Sequence, residues 1–312
     1  MADEVKERYL FSIVIPVYRN EKNIPITIPY MMDRLDIFEG YDVEIVMVCD
    51  GSPDASYTEM CRMQEEYPNT IRVVKLARNF GQGAAISCGA KIAKGDVVGV
   101  ISCDLQDPFE LFIDMLKAWR EESYKLVIAS REHRSDALIG KIASSTFNRM
   151  VHTFIDSRYP VGGFDFFLMD RQVVDAFTAI DAANGSMQML LVWLGYQYKE
   201  IPYTRSARSI GKSSYKLSRK MEIASGLFTT YSPILSRVWY VVGACSIVAS
   251  IIVPIVLMNT IADVRASELI IIGLLLFITG VVLISNASVG EYSWRTLYQS
   301  LGRPRYVIDE IR

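Results

Sequence analysis

Two uncharged apolar runs, Val238 to Met258 and Leu269 to Val289, constrain this chain more than any other feature of its sequence. Each has the roughly 20 residues that an α-helix needs to cross a ~30 Å hydrocarbon core. Charge-free runs of that length seldom occur in the core of a soluble protein, although a buried helix pair is the alternative. Gly243, Pro254, Gly273 and Gly280 fit helices packed in a bilayer. A transmembrane helix pair is therefore expected. These runs also account for a hydrophobic fraction of 51% over 312 residues, which is high for a purely soluble protein.

The flanks of the runs give an orientation. Lys212, Lys216, Arg219, Lys220 and Arg237 precede the first, and Arg295, Arg303, Arg305 and Arg312 follow the second. The connection 259–268 has Arg265 against Asp263 and Glu268. Both ends are thus expected on the cytoplasmic face of a plasma or inner membrane, with the large N-terminal part cytosolic. The charged start, Met1 to Arg8, and the short apolar stretch before Pro16 do not read as a cleavable signal. Cys49, Cys61, Cys88 and Cys103 lack metal-ligand spacing and read as free thiols. A net charge of −2, with no stripe of basic and aromatic residues, gives no sign of a nucleic-acid partner.

Between 212 and 236, Leu217, Met221, Ala224, Leu227 and Phe228 recur at helical spacing beside Lys216, Arg219 and Lys220. That pattern reads as a helix lying at headgroup level, or as one packed on the globular domain. The expected organisation is a cytosolic domain over 1–211, a juxtamembrane helix over 212–236, a two-helix hairpin over 237–290 and a cytosolic tail over 291–312.

Along the first two hundred or so residues, apolar runs alternate with helical patterns. Strands are expected at Phe11–Val17, Val43–Cys49, Ile71–Leu76, Asp96–Ile101 and Leu126–Ser130. Helices are expected at Ile24–Phe38, Ala55–Glu66, Gly83–Ala93 and Phe109–Glu121. Such alternation implies right-handed crossovers and a mostly parallel sheet covered on both faces, an α/β fold.

Three expected strand ends carry polar clusters: Pro16 to Glu21, Cys49 to Asp54, and Ser102-Cys103-Asp104-Leu105-Gln106-Asp107-Pro108. Loops that follow parallel strands converge on one sheet edge, where α/β folds bind ligands. A carboxylate with an amide oxygen two residues on suits a hard divalent cation set against a diphosphate, so a nucleotide-sugar site is the first reading. An ordinary Asp-Pro turn is the plain alternative.

With these motifs the chain resembles the family-2 glycosyltransferases of Rossmann-like GT-A fold, in particular the membrane-attached dolichyl- and undecaprenyl-phosphate sugar transferases. The resemblance spans nearly the whole chain. It rests on the Pro-Val-Tyr start, Asp50-Gly-Ser-Pro-Asp54, Asn79-Phe-Gly-Gln82 with Ala84-Ala85, Asp104-Leu-Gln-Asp-Pro108, the Phe164 to Arg171 segment, Arg208-x-x-Gly211-x-Ser213 and the two C-terminal runs.

The resemblance implies roles for individual residues. Pro16 and Tyr18 would shape the first loop beside the nucleotide, with Asn20 or Glu21 reaching its ribose or base. Val48 and Asp50 match base and ribose contacts. Asp104 and Gln106, with Asp107 as a further candidate, would hold Mg²⁺ or Mn²⁺. Arg131 and Arg208 match arginines that approach the diphosphate, and Lys212 and Ser213 belong to the same donor loop. Asp165, among glycines and aromatics, is the candidate catalytic residue on the acceptor side, where desolvation would suit it to accept a proton.

The chain also departs from the family pattern. Cys49 and Ser102 stand where acids are usual, Phe167 where Arg is frequent, and Ser214 where Lys is frequent, with Lys212 a possible replacement. Each acidic cluster thus lacks one carboxylate, which weakens cation binding unless Asp107 turns inward or phosphate oxygens supply more ligands.

The implied activity is inverting transfer of a sugar from a UDP- or GDP-linked donor to a polyprenyl phosphate such as undecaprenyl phosphate. A hydroxyl of a lipid-linked saccharide is the alternative acceptor, and an inactive binding or scaffold homologue the remote one. Two spans are few for a stable membrane unit, so a homo-oligomer is expected.

Overall fold

The computed structural model describes residues 8–131, 158–160, 163–180, 186–204 and 304–312, with scattered positions between 271 and 300. The chain divides into two compact units, Met1–Lys216 with Pro304–Arg312, and Leu217–Arg303.

In the first unit, strands β1 (Tyr9–Val17), β2 (Tyr41–Cys49), β3 (Ile71–Leu76), β4 (Val97–Val100) and β5 (Leu126–Arg131) alternate with helices α1 (Ile24–Met32), α2 (Ser56–Glu66), α3 (Gln82–Ile92) and α4 (Leu111–Glu122). Then come β6 (Phe167–Asp170), α5 (Arg171–Ala179), α6 (Met187–Trp193), β7 (Tyr198–Tyr203) and β8 (Ile308–Ile311). Among the described residues these strands make one sheet of order β7-β5-β6-β4-β1-β2-β3-β8. β1 pairs in parallel with β2 and β4, β2 with β3, and β5 with β7. β6 runs antiparallel between β4 and β5, and β8 antiparallel to β3. The sheet is therefore mostly parallel, as expected, with two inversions that the strand–helix alternation does not announce.

Burial explains why the first elements form where they do. β1, β2 and β4 are covered on both faces, so their apolar runs are continuous rather than alternating. α3 lies directly on the sheet because its inward positions are small; a Cβ at Gly89 would sit 2.4 Å from Val14 Cγ1. The expected helix over Ile24–Phe38 ends at Met32, and a 3-10 turn, Leu35–Ile37, follows. Leaving the helical path lets Phe38 pack edge-on against Phe11 and Phe109, at 5.4 and 5.3 Å between ring centroids.

That contact belongs to a chain of edge-to-face aromatics running through the core. Phe112 meets Phe11 at 5.1 Å and Phe166 at 4.8 Å, and Phe166 meets Tyr203 at 6.0 Å. Each fully buried ring contributes about 1.5–3 kcal/mol in area burial. The last ring, Tyr203, carries a hydroxyl to the sheet edge where the polar loops gather.

The final residues do more than form a tail. β8 pairs with β3, and backbone bonds between Val73 and Arg312 (2.8 and 2.9 Å) and from Ala77 N to Val307 O (2.9 Å) flank that ladder, while Lys75 bridges Asp309 at 2.6 Å.

In the second unit, the described positions between 271 and 300 are helical. Ile271, Leu275, Phe277, Ile278, Val282 and Val289 are exposed there. Among the described residues no helix is long and apolar enough to cross a membrane. The first expected span and the juxtamembrane stretch 212–236 lie outside those residues, and the second span is described only in part.

Candidate active site

The acidic turn after β4 is held by its own side chains. Ser102 Oγ lies 2.7 Å from Asp104 Oδ1 and 2.8 Å from Asp107 Oδ2, so one hydroxyl proton serves two carboxylates. Gln106 N donates to Asp104 Oδ1 at 3.3 Å. Leu105 between them has φ +51°, a left-handed conformation that is uncommon for a non-glycine residue and turns the chain sharply. Asp107 is 2% exposed and Gln106 8%, so Asp107 does turn inward. The serine at the position of a missing acid thus gathers the two acids that remain.

The other strand-end loops are laced together. Arg19 N donates to Ser52 Oγ (2.8 Å), Asn20 N to Ser56 Oγ (2.9 Å) and Ala55 N to Glu21 Oε2 (3.1 Å). Asn20 Oδ1 accepts from Asn23 Nδ2 at 2.8 Å. The side chains of Asn20 and Glu21, expected to reach a ribose or base, hold these loops in the structure. Burial works against the Asp54 charge, yet hydrogen bonds from Ser52 and Ser56 hold its carboxyl below the usual range. Pro16 pairs with Val48 one residue before the end of β1, and Tyr18 is exposed at the loop, with the Arg19 guanidinium 5.5 Å from its ring.

Asp50 accepts from Phe80 N at 2.7 Å and Gly81 N at 2.9 Å, and so fixes the loop ahead of α3. Burial pushes its carboxyl above the usual range, with those two bonds opposing the shift. Its neighbour Gly51 has φ +56°, and a Cβ there would meet Arg78 C at 2.3 Å, so only glycine lets the loop approach. Val48 is wholly buried, its Cγ2 lying 3.0 Å from the position a Gly89 Cβ would take. A nucleotide contact by its side chain is not available in this arrangement.

On the other side of the acidic turn, Arg131 Nη2 donates to Asp165 Oδ2 at 3.0 Å, and Gln188 Nε2 donates to Asp165 Oδ1 at 3.2 Å. Arg131 Nε donates to the Tyr203 hydroxyl at 3.3 Å, and that hydroxyl donates to Asp107 Oδ1. Burial, reinforced by Asp107, pushes the Tyr203 phenol well above its ordinary range, so it is a proton donor. A continuous series of contacts therefore joins Asp104, Ser102, Asp107, Tyr203, Arg131, Asp165 and Gln188. The desolvation expected at Asp165 does not occur: its side chain is 39% exposed and ion-paired. Both its oxygens take hydrogen bonds.

Arg208, Lys212 and Ser213 lie outside the described residues. Phe167, where an arginine is frequent, is fully buried in β6. Ser102, Gln188 and Tyr203 are the site residues that the motif reading missed. Tyr203 left no signal in the sequence, because β7, Tyr198–Tyr203, carries Lys199 and Glu200 and does not read as an apolar run.

The residues fit a cation shared with a phosphate ligand. Among the described residues no group of three or more His, Cys, Asp or Glu is gathered that could hold a metal alone. Mg²⁺-type sites commonly use one or two carboxylates and complete their shell with water and phosphate oxygens. Asp104 and Asp107 supply two carboxylates, and Gln106 an amide oxygen in the same turn.

Residues 12–177, just over half of the chain, match the family model described as Glycosyl transferase family 2. The chain is 30% identical over 306 residues to the uncharacterized glycosyltransferase YkcC of Bacillus subtilis (strain 168), covering 96% of this chain and 93% of that protein. It is 29% identical to the bactoprenol glucosyl transferase of Shigella phage SfV, covering 95% of this chain and 97% of that one. Glucosyl-3-phosphoglycerate synthase from Mycobacterium tuberculosis, in complex with Mg²⁺ and uridine diphosphate, matches with a TM-score of 0.51 and 17% identity over 73% of this chain and 79% of that chain. The last match establishes a shared GT-A-like fold.

Proposed function

The chain belongs to glycosyl transferase family 2, and from that premise we propose that it transfers one sugar, with inversion, from a nucleotide diphosphate to a polyprenyl phosphate at the cytoplasmic face of a membrane. The observation that carries the reading is the acidic turn after β4, where one hydroxyl gathers two carboxylates. It sits in a chain similar over nearly its whole length to proteins named bactoprenol glucosyl transferase.

Asp104, Asp107 and Gln106 would hold Mg²⁺ or Mn²⁺. The cation's contribution is to offset the charge that grows on the leaving diphosphate. The donor base and ribose would lie against the laced loops of Tyr18, Asn20, Glu21 and Asp50. Arg131 is aimed at the same edge, with Arg208, Lys212 and Ser213 as the remaining donor-side candidates. A phosphate acceptor is already an anion and needs no strong base. Asp165, with its oxygens taken by Arg131 and Gln188, is suited to orienting a substrate.

The fold supports a membrane hairpin through the place of its last strand. β3 and β8 lie on either side of the two apolar runs in sequence and pair in one sheet. Whatever crosses a membrane between them must cross an even number of times. Two spans meet that condition, and the exposed apolar positions between 271 and 289 suit a lipid environment. Self-association of this hairpin belongs to the same proposal.

The test is incubation of the membrane-extracted protein with undecaprenyl phosphate and a panel of UDP- and GDP-sugars, followed by mass spectrometry of the lipid fraction. The reading expects undecaprenyl phosphate heavier by one sugar residue. Sugar found only on hydroxyl lipids, or only released into water, would contradict it.

A further inference from the structure

We propose that Tyr203 is a positioning residue that sets the Asp107 carboxylate for cation binding and ties that setting to the Arg131–Asp165 pair. The inference rests on the reading of Asp104 and Asp107 as cation ligands and adds to it a residue outside the acidic turn.

Tyr203 is 6% exposed and ends β7, where parallel pairing sets it directly against Arg131 at the end of β5. Its ring stands edge-on to Phe166, itself 1% exposed and packed on Phe112, so the ring has no room to swing. The hydroxyl then has one proton and two lone pairs to place. The proton goes to Asp107 Oδ1, and a lone pair accepts Arg131 Nε at 3.3 Å.

Asp107 depends on this donor. It is almost fully covered, and a covered carboxylate requires donors or cations to replace lost water. Ser102 provides for Oδ2 but divides its single proton with Asp104. Tyr203, by contrast, gives its proton to Asp107 without dividing it with Asp104. Phenylalanine fills the same space but offers neither the donor to Asp107 nor the acceptor to Arg131. Groups that orient a ligand from behind typically contribute 10–100-fold to metal affinity or activity.

The experiment is a Mn²⁺ titration at saturating nucleotide sugar, read both as transferase activity and as bound Mn²⁺ by electron paramagnetic resonance, using full-length wild type, Tyr203→Phe, Asp107→Asn and the double variant. Tyr203→Phe is expected to raise the half-saturating Mn²⁺ concentration roughly tenfold. Excess Mn²⁺ should restore most of its turnover, while the melting temperature of the metal-free variant falls modestly because the covered Asp107 carboxylate loses a donor. Because Tyr203 acts through Asp107, the double variant should be hardly worse than Asp107→Asn alone. A residue that only supports the fold would lower turnover equally at every Mn²⁺ concentration, and that result would overturn the proposal. So would additive losses. Wild-type activity that survives EDTA would remove the cation reading and this inference together, whereas a cation-dependent wild type with an unshifted Tyr203→Phe removes the inference alone. Should Tyr203→Phe fail to fold, Tyr203→His takes its place, and a wild-type titration curve from it counts against the proposal.

Discussion

The guanidinium of Arg131 and the carboxylate of Asp165 stand 3.0 Å apart, each the other's counter-ion at the edge of the sheet. The arginine is 20% exposed and the aspartate 39%, so the pair is neither sealed in the core nor free in water. A carboxylate held this way is better placed to fix a direction than to take a proton.

Asp165→Asn should therefore keep measurable turnover with undecaprenyl phosphate. The loss should stay below the roughly 10²–10⁴-fold that removing a general base typically brings. Steady-state kinetics, after a nucleotide titration establishes normal donor binding, would check this. A loss at the upper end of that range would return Asp165 to the role of base.

The cysteines beside the acidic positions should be chemically quiet. Burial pushes the Cys103 thiol up to about 12, with Asp104 adding to the shift. Burial likewise pushes Cys88 up to about 12 and raises Cys49. The thiolate is the reactive form, and at about pH 8 a thiol of such pKa is ionised to roughly one part in 10⁴. Brief iodoacetamide treatment of native protein, read by peptide mass spectrometry, should mark the partly exposed Cys61 before Cys49, Cys88 or Cys103. Raising the pH toward 9 should not bring those three level with Cys61. Rapid native labelling of Cys103 would contradict the burial argument.

Removing residues 304–312 should destabilise the first unit, not merely shorten it. Apart from the β3–β8 ladder itself, three flanking backbone bonds, at about 1 kcal/mol net each, already amount to about 3 kcal/mol. Loss of the Lys75–Asp309 bridge adds little, because both side chains are substantially exposed. Limited proteolysis and thermal melting of the truncated full-length protein would test this. An unchanged melting temperature would mean that β8 is dispensable.

The sequence is most legible where physics leaves a repetitive mark. Strands β1, β2 and β4 are covered on both faces, and the apolar runs of β1 to β5 locate each to within a few residues. β6 has four residues, and β8 carries Asp309 and Glu310 in its middle, so neither leaves such a mark. Both exist because a neighbouring strand offers unpaired backbone. The candidate site divides in the same way. Asp104, Gln106 and Asp107 announce themselves at a strand end, but Ser102 reads as a lost acid until its hydroxyl is seen between two carboxylates. Tyr203 lies 96 residues from Asp107, and Gln188 lies 23 from Asp165, so no local pattern pairs them.

The central claim is that Asp104 and Asp107, gathered by Ser102, hold the divalent cation that carries the donor diphosphate. Electron paramagnetic resonance of Mn²⁺ in the presence of the accepted nucleotide measures it most directly, comparing wild type with Asp104→Ala and Asp107→Ala. The account predicts nucleotide-dependent Mn²⁺ binding in the wild type and its loss in both folded variants, with transfer abolished by EDTA. Full transfer activity in EDTA, or Mn²⁺ binding that both substitutions leave intact, would contradict it.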